Sequence, residues 1–421
     1  MAEIKGILQD LNPWWGGKFE IEFQDRDLYE QIQKFIPLRQ IIAFTGLRRV
    51  GKTTLMLKIA EDFTKEFDAK RIIYFSFDEF REIELRELIR KYEELLENDF
   101  RKGKYLLLLD EIQKLTDWEN KLKGIYDAFG KNVKIIISGS ESLFIKKKSK
   151  ETLAGRIFEF KIETLSFKEF LSFKKFDFKN VNLREKELKF LFNKFTLTQG
   201  FPELVEIEEK EIIRKYIREN VIERVLYRDI QKVFKIKDAS KVESLFNLFL
   251  EEPGQLADVS ELANELGISR QTVSNYLNCL EKSFLIRKLY NFSRSRRKIE
   301  RKLKKYYPVV ISPNLLFDED VQSKSKAFEW VMVNQLRAEF FWRDPYKNEV
   351  DIVVGDGKII PIEVKYGKID FGGMLAFMKK FNVNEGYIIS HDKEEKKKID
   401  KKIVHVIPAF KFLLEKNFRG L

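Results

Sequence analysis

Between residues 41 and 163 the chain alternates two kinds of segment. Short runs at 41–46, 71–78, 105–110, 133–140 and 157–163 are apolar or β-branched at nearly every position. Between them, at 53–67, 83–98 and 118–129, apolar residues return every three or four positions. Runs that are apolar throughout predict strands buried on both faces, and their alternation with helices predicts a parallel sheet covered on both sides. Upstream stand Asn12-Pro13-Trp14-Trp15 and a polar, helix-period stretch at 25–35. From 166 to 250 the period is helical only, with helices expected at 185–195, 210–233 and 239–250 and a break at Gly200-Phe201-Pro202. After a turn at Glu251-Glu252-Pro253-Gly254, residues 255–310 read as a small helical unit. Mixed structure returns at 311–421, with helices at 323–339 and 372–381 and strands at 340–343, 349–354, 358–365, 386–390 and 403–407. The pattern therefore predicts an α/β chain in four parts: 1–165, 166–250, 251–310 and 311–421. No repeat and no low-complexity linker separates them.

Composition narrows the classes. The 421 residues include 79 Lys+Arg and 67 Asp+Glu, a net charge of +12. Residues 281–310 alone hold 11 basic and 2 acidic residues, so three quarters of the excess falls in thirty positions. A solvated surface spreads its charge, whereas an anion-binding surface gathers it. The single cysteine, Cys279, excludes a disulfide scaffold and a Cys-based zinc site, and two histidines, His391 and His405, leave little for a His cage or a His-based triad. The N-terminus lacks a signal-peptide pattern, and apolar runs such as 106–109 fall far short of the ~20 residues that span a bilayer. The expectation is a cytoplasmic protein.

Gly46-Leu47-Arg48-Arg49-Val50-Gly51-Lys52-Thr53 fits G-x-x-x-x-G-K-[ST], with an apolar strand before it and a helix after it. Backbone N–H groups of such a loop, together with the helix N-terminus carried on through Thr54, cradle phosphate oxygens. Lys52 is expected at the β- and γ-phosphates and the Thr53 hydroxyl on Mg²⁺. A second acidic signal follows a buried strand at Asp110-Glu111. A carboxylate there is costly unless it faces a cation or water, so Asp110 is expected to hold Mg²⁺ and Glu111 to polarise the attacking water. The turn Ser138-Gly139-Ser140-Glu141-Ser142 puts Ser140 forward as a γ-phosphate sensor or as part of a plain hydroxyl-rich turn. Arg156 is either a surface residue or an arginine that approaches phosphate, in its own subunit or a neighbour's.

Residues 259–277 carry a helix-turn-helix pattern. Ser260 and Ser269 are the expected caps and Gly267 the left-handed turn. With Leu262, Ala263, Leu266, Ile268, Val273 and Leu277 inward, Arg270, Gln271, Ser274 and Asn275 face out where base edges are read. The basic stretch that follows, including Arg294, Arg296, Arg297 and Lys298, suits a β-hairpin wing through 284–286 and 289–292 that tracks phosphates. A lid or protein-docking module is the alternative for such a unit.

Near the C-terminus Asp351 sits on one predicted strand, and Glu363 and Lys365 share a face on the next. A hairpin through Gly355-Asp356-Gly357 brings them together, and Glu329 on the preceding helix can join. Two carboxylates and a lysine suit metal-dependent phosphodiester hydrolysis, with Asp351 and Glu363 on the metal. A surface hairpin with an ion pair is the other reading.

GLRRVGKTTLM, LLLLDEIQKLTDWENKLKGIYD, IIISGSESLF, LAGR and LSFKEF, with NPWW before them and GFPE and YRDI after, resemble prokaryotic, mainly archaeal, AAA-type P-loop ATPases. Ser140 stands where AAA proteins commonly carry Asn. The order of elements around Asp351 and Glu363-Val364-Lys365 resembles the PD-(D/E)xK nucleases, although Lys-Ser-Lys-Ala precedes Phe328-Glu329. The resemblance implies a P-loop ATPase domain, a helical lid, a winged helix and a restriction-endonuclease-like domain. It implies ATP and Mg²⁺ as cofactors, DNA as a partner, and a homo-oligomer or protein partner besides. Two functions fit: a DNA-acting ATPase with a possible nuclease, and a slow nucleotide-operated switch whose last domains bind a partner without cutting.

Overall fold

The computed structural model describes residues 2–78, 83–140, 151–234, 236, 238–355 and 358–416, in two compact units, 1–163 and 164–421. In the first unit the apolar runs form β1 (Ile41–Thr45), β2 (Ile72–Ser76), β3 (Tyr105–Asp110), β4 (Val133–Gly139) and β5 (Ile157–Lys161), ordered β2-β3-β4-β1-β5 and parallel throughout. Burial is complete along β1 and β3, as their uninterrupted apolar sequence requires. The helices Lys52–Thr64, Leu85–Leu96 and Trp118–Phe129 supply the crossovers.

Among the described residues β2 has no strand beyond it, and side chains of the Asn12-Pro13-Trp14-Trp15 segment bond to that edge. The Asn12 amide donates to Tyr74 O (2.9 Å) and to Leu8 O (2.7 Å), and its oxygen accepts from Tyr74 N (2.6 Å). Both indole N–H groups, of Trp14 and Trp15, donate to Ile72 O at 3.0 and 2.8 Å. An edge strand presents unpaired backbone groups that invite pairing with another chain, and these bonds occupy them.

The second unit contains a nine-stranded sheet, β13-β14-β12-β11-β10-β9-β7-β8-β6. Its strands are β6 (Gln255–Ala257), β7 (Ile286–Asn291), β8 (Lys304–Pro308), β9 (Phe340–Arg343), β10 (Glu349–Val354), β11 (Ile360–Lys365), β12 (Glu385–Ser390), β13 (Glu395–Ile399) and β14 (Lys402–Pro408). The expectation of three successive modules meets a continuous body here. β7 pairs with β9 in parallel, which joins the helix-turn-helix segment to the C-terminal strands. One core cluster also runs from Phe167, Phe170, Leu188 and Phe192 to Met332, Phe341, Ile362 and Phe410. The helices Phe167–Phe173 and Glu185–Thr198 thus pack into the C-terminal core. Gln199 exchanges two bonds with the backbone of Ile311, and Gln335 bonds Phe167 N and Leu165 O. Helical periodicity shows which face is apolar and not which element covers it.

Two further differences have local causes. β13 was not expected, because Glu395-Lys396-Lys397-Lys398 is charged at every position. It is an exposed edge strand, where lysines discourage pairing with other chains. The two apolar stretches expected to form a wing hairpin, 284–286 and 289–292, fall instead around the single strand β7; the return strand is β8, after a short helix at Arg296–Arg301.

Candidate functional site

The P-loop follows β1 in the first unit. Gly46, Arg49 and Gly51 adopt φ of 145, 63 and 94°. A Cβ at Gly46 would stand 2.1 Å from Ile162 O, so only glycine lets the loop lie against the segment that follows β5. Leu47 and Val50 bury their side chains, while Arg48 and Arg49 are half-buried. Lys52 opens the helix Lys52–Thr64, with Thr53 and Thr54 exposed in its first turn. Its Nζ donates to Gly46 O (3.0 Å) and Leu47 O (2.9 Å), which holds the ammonium inside the curve of the loop. Arg26, which no motif singled out, donates to Val50 O (2.9 Å) and Glu163 O (2.8 Å) and braces the loop.

Asp110 ends β3 as a hub. Its Oδ2 accepts from Thr53 Oγ1 (2.7 Å) and from the Tyr74 hydroxyl (2.8 Å); its Oδ1 accepts from Glu111 N (3.0 Å) and from Ser138 Oγ. All four donors are neutral. Burial, and then the Asp110 charge, hold the Tyr74 hydroxyl above its usual pKa, so it remains a donor. A hydroxyl and a carboxylate in contact fit the oxygen ligation that Mg²⁺ requires, so Thr53 and Asp110 are the residues that would hold it. Glu111 has a left-handed backbone, φ 53°, an uncommon state for a non-glycine residue that clusters at functional sites. Its Oε2 accepts from Gln113 Nε2 (2.6 Å) and from Ser140 Oγ (3.2 Å), so Ser140 steadies Glu111. Glu141 and Ser142 lie outside the described residues. Tyr74, Ser138 and Gln113 complete the hub and were not anticipated: the first two reach it from neighbouring strands, which no short motif encodes.

Arg156 stands elsewhere. It precedes β5, whose Ile157 pairs with Ile41 at the start of β1, whereas the P-loop leaves the other end at Thr45. Four residues of strand at ~3.3 Å each separate the two edges. Arg156 bonds Asp127 instead (Nε to Oδ1, 3.4 Å). The expected reach to phosphate within its own subunit fails on that topology.

In the second unit, the helices Val259–Leu266 and Arg270–Lys282 flank Gly267, at φ 64°. Ser269 caps the second helix by accepting from Thr272 N (3.1 Å), as expected. The first cap is Asp258, not Ser260: its Oδ1 accepts from Ser260 N (2.6 Å) and Glu261 N (3.3 Å). Leu262, Ala263, Val273 and Leu277 are buried, while Leu266 and Ile268 are half-buried. Arg270, Gln271, Ser274 and Asn275 are exposed together, with Gln271 Nε2 donating to Asn275 Oδ1 (3.1 Å). Arg296, Arg297 and Lys298 are exposed on the short helix, and Arg294 donates to Phe381 O (2.7 Å).

The C-terminal residues do meet. β10 and β11 pair antiparallel with Ile352 opposite Ile362, which sets Asp351 beside Glu363; Asp356 and Gly357 lie outside the described residues. Asp351 Oδ2 accepts from Val364 N (2.8 Å), and Glu363 Oε1 pairs with Lys365 Nζ (2.8 Å). The basic run contributes a residue that sequence reasoning did not place here: Lys305 on β8 is buried, ion-paired to Glu349 and 3.8 Å from Glu329 Oε1. Tyr307 donates to Glu329, and Arg343 pairs with Glu349 (3.0 Å). Burial raises the Asp351 carboxyl to about 8, with Glu329 and Glu363 adding to the rise and Lys305 and Lys365 opposing it. Burial also raises Glu363, against Lys365.

Lys305 and Lys365 bring positive charge to these carboxylates, while Glu363 Oε2 is buried without a hydrogen-bond partner. Among the described residues no group of three His, Cys, Asp or Glu is placed to hold a metal. No described helix is long and apolar enough to cross a membrane.

Comparison with known proteins agrees with the first unit. Residues 38–171 match the AAA domain family; 189–309 and 327–412 match two domains of unknown function, DUF8612 and DUF4143. An uncharacterized protein of Methanocaldococcus jannaschii is 28% identical over 407 residues, covering 87% of this chain and 84% of its own. A second protein of that organism is 30% identical over 62% of this chain and 58% of its own. An uncharacterized protein of Haemophilus influenzae is 27% identical over 62% of this chain and 64% of its own. Solved structures that align include a point variant of Thermotoga maritima RuvB, with 14% identity, TM-score 0.33, and 65% of this chain and 91% of that one covered. AMPPCP-bound DnaA from Aquifex aeolicus aligns with 16% identity, TM-score 0.29, and shares of 62% and 89%. The chain carries an AAA-type P-loop ATPase domain with a parallel-sheet α/β fold.

Proposed function

We propose that this chain is a Mg-dependent ATP hydrolase that acts with DNA. One observation carries the ATPase reading: Asp110 is shared among four neutral donors, one of them the Thr53 hydroxyl, and adjoins a Glu111 held in position by Gln113 and Ser140. Thr53 and Asp110 would hold Mg²⁺, which would offset the charge of the phosphates. The chain's own residues do the rest. The loop N–H groups and Lys52 bind phosphate, and Glu111 orients and deprotonates the attacking water. Arg156 enters this reading only through a neighbouring subunit, in a homo-oligomer.

DNA binding rests on the order helix, strand, helix, helix, strand, short helix, strand from 239 to 308, which supports a winged helix. It rests also on the shared exposure of Arg270, Gln271, Ser274 and Asn275, followed in the chain by Arg294, Arg296, Arg297 and Lys298. If about six phosphates are neutralised, affinity for a duplex falls ~10³-fold between roughly 50 and 200 mM salt. A flat salt response in a gel-shift titration would remove DNA from the account.

A second reading, a nucleotide-operated switch that does not cut, is favoured by Lys305, a tethered cation among the carboxylates proposed for nuclease chemistry. Plasmid incubated with Mg²⁺ or Mn²⁺ and ATP separates the two. Cleavage by the wild type but not by Glu363→Ala with Lys365→Ala makes Asp351, Glu363 and Lys365 catalytic; no cleavage by either protein supports the switch.

A further inference from the structure

A cavity of about 690 Å³ opens in the second unit between the basic segment and the C-terminal strands, within the size range of small-ligand sites. Its walls include Phe292, Trp342 and Phe381, and its charged residues come from three elements. Arg294, Lys298 and Lys302 belong to the 294–302 segment, Lys380 to the helix Gly372–Phe381, and Arg343 to β9. Arg343 is paired with Glu349. The other four make no ion pair among the described residues: Arg294 donates to the Phe381 carbonyl, Lys302 to Asn291 Oδ1 (3.2 Å), and Lys380 lies 5.2 Å from the Trp342 ring. Asp344, the acid in the wall, caps its own turn by accepting from Asn348 and Tyr346.

Four cations without ion pairs among the described residues line an aromatic-walled hollow that holds one carboxylate; Arg294, Lys298 and Lys380 are exposed and Lys302 is half-buried. Burial lowers the Lys302 pKa, and the like charges of Lys380 and Lys298 lower it further. An anion seated among them relieves that repulsion, and the apolar walls strengthen the attraction by excluding water. Lysines and an arginine at the mouth of a hollow, outnumbering its single acid, suit the several oxygens of a phosphate group.

We propose that this cavity is a phosphate-binding site, formed by Lys298, Lys302, Lys380 and Arg294, that takes one phosphate of a nucleic-acid strand. The proposal deepens the DNA reading and rests on it for the source of the phosphate. A free nucleotide would present the same chemistry from a different source.

The test uses the full chain carrying Lys52→Ala, so that the P-loop does not contribute. Anisotropy of labelled single-stranded and duplex oligonucleotides is compared with and without Lys302→Met plus Lys380→Met. Matching thermal melts guard against misfolding, and the single Lys380→Gln, at an exposed position, replaces the pair if they differ. The pair should weaken binding about 10-fold near 100 mM salt and make the log-affinity against log-salt slope shallower by about one, as for one lost phosphate contact. Unchanged affinity and slope in a protein that does bind DNA overturn the pocket and leave the DNA reading intact. If no oligonucleotide binds, the DNA reading fails, and a pyrophosphate titration followed by thermal shift decides the pocket. A rise in melting temperature that the lysine pair abolishes assigns the site to free phosphates; no rise overturns it. Displacement by a polyglutamate peptide as effective as by pyrophosphate overturns phosphate in favour of an acidic peptide.

Discussion

Asp110 and Asp351 are both buried carboxylates on strands, and their surroundings treat them in opposite ways. Asp110 is held by hydroxyls and a backbone N–H, neutral groups that orient it without cancelling its charge. Asp351 sits where Lys305, Lys365 and Arg343 already match Glu329, Glu349 and Glu363, so it is the fourth carboxylate against three cations. Burial and that surplus account for its raised pKa. Two acids on strands are therefore not equivalent: Asp110 is oriented by neutral donors, whereas Asp351 is the unmatched carboxyl in a cluster of ion pairs, where burial favours its protonated form.

The contrast is open to attack in order of effect size. Glu111→Gln should lower kcat for ATP ~10²–10⁴-fold, the usual contribution of a general base, while ATP remains bound. Phosphate release unchanged in that variant would take Glu111 out of the reaction. Lys305→Met should destabilise the second unit by about 3 kcal/mol, the lower end for a broken buried pair, because it takes the buried cation from the half-buried Glu329 and leaves Glu349 with Arg343. Equilibrium urea unfolding reads this; a loss under about 1 kcal/mol, the size expected of a surface pair, would deny Lys305 its role.

Titration gives the third handle. The folded state keeps a proton on Asp351 up to about 8, while the unfolded value is 3.8. Between those values the native state binds more protons than the unfolded state, so the contribution of this group falls as pH rises from about 4 to about 8 and levels off above. Asp351→Asn should flatten that slope in thermal melts; an identical slope would place the titration elsewhere. The smallest effect belongs to the first site. Tyr74→Phe removes one of four neutral donors to Asp110 and should cost about 1 kcal/mol of stability, measured by the same unfolding.

The sequence displayed what is local. The P-loop, Asp110-Glu111, the strand runs of the parallel sheet and Ser269 as a cap are all written within a few consecutive residues. Partners that arrive through topology were hidden. Tyr74 and Ser138 reach Asp110 because β2 and β4 flank β3. Lys305 sat inside a run read as a phosphate-tracking basic stretch, and only the pairing of β7 with β9 turns β8 toward the carboxylates. Arg156 could be read as a surface residue or as one that approaches phosphate, and only the register of β5 against β1 puts it at the other end of the sheet from the P-loop. Charge density itself misled at β13, where an edge strand needs lysines and no apolar face.

Mn²⁺ binding, followed by electron paramagnetic resonance with and without ATP, tests the contrast most directly. The account predicts one Mn²⁺ per chain only when ATP is present, lost in Asp110→Asn and retained in Asp351→Asn with Glu363→Gln. Mn²⁺ bound without ATP, and lost in the Asp351 and Glu363 variant, would contradict it.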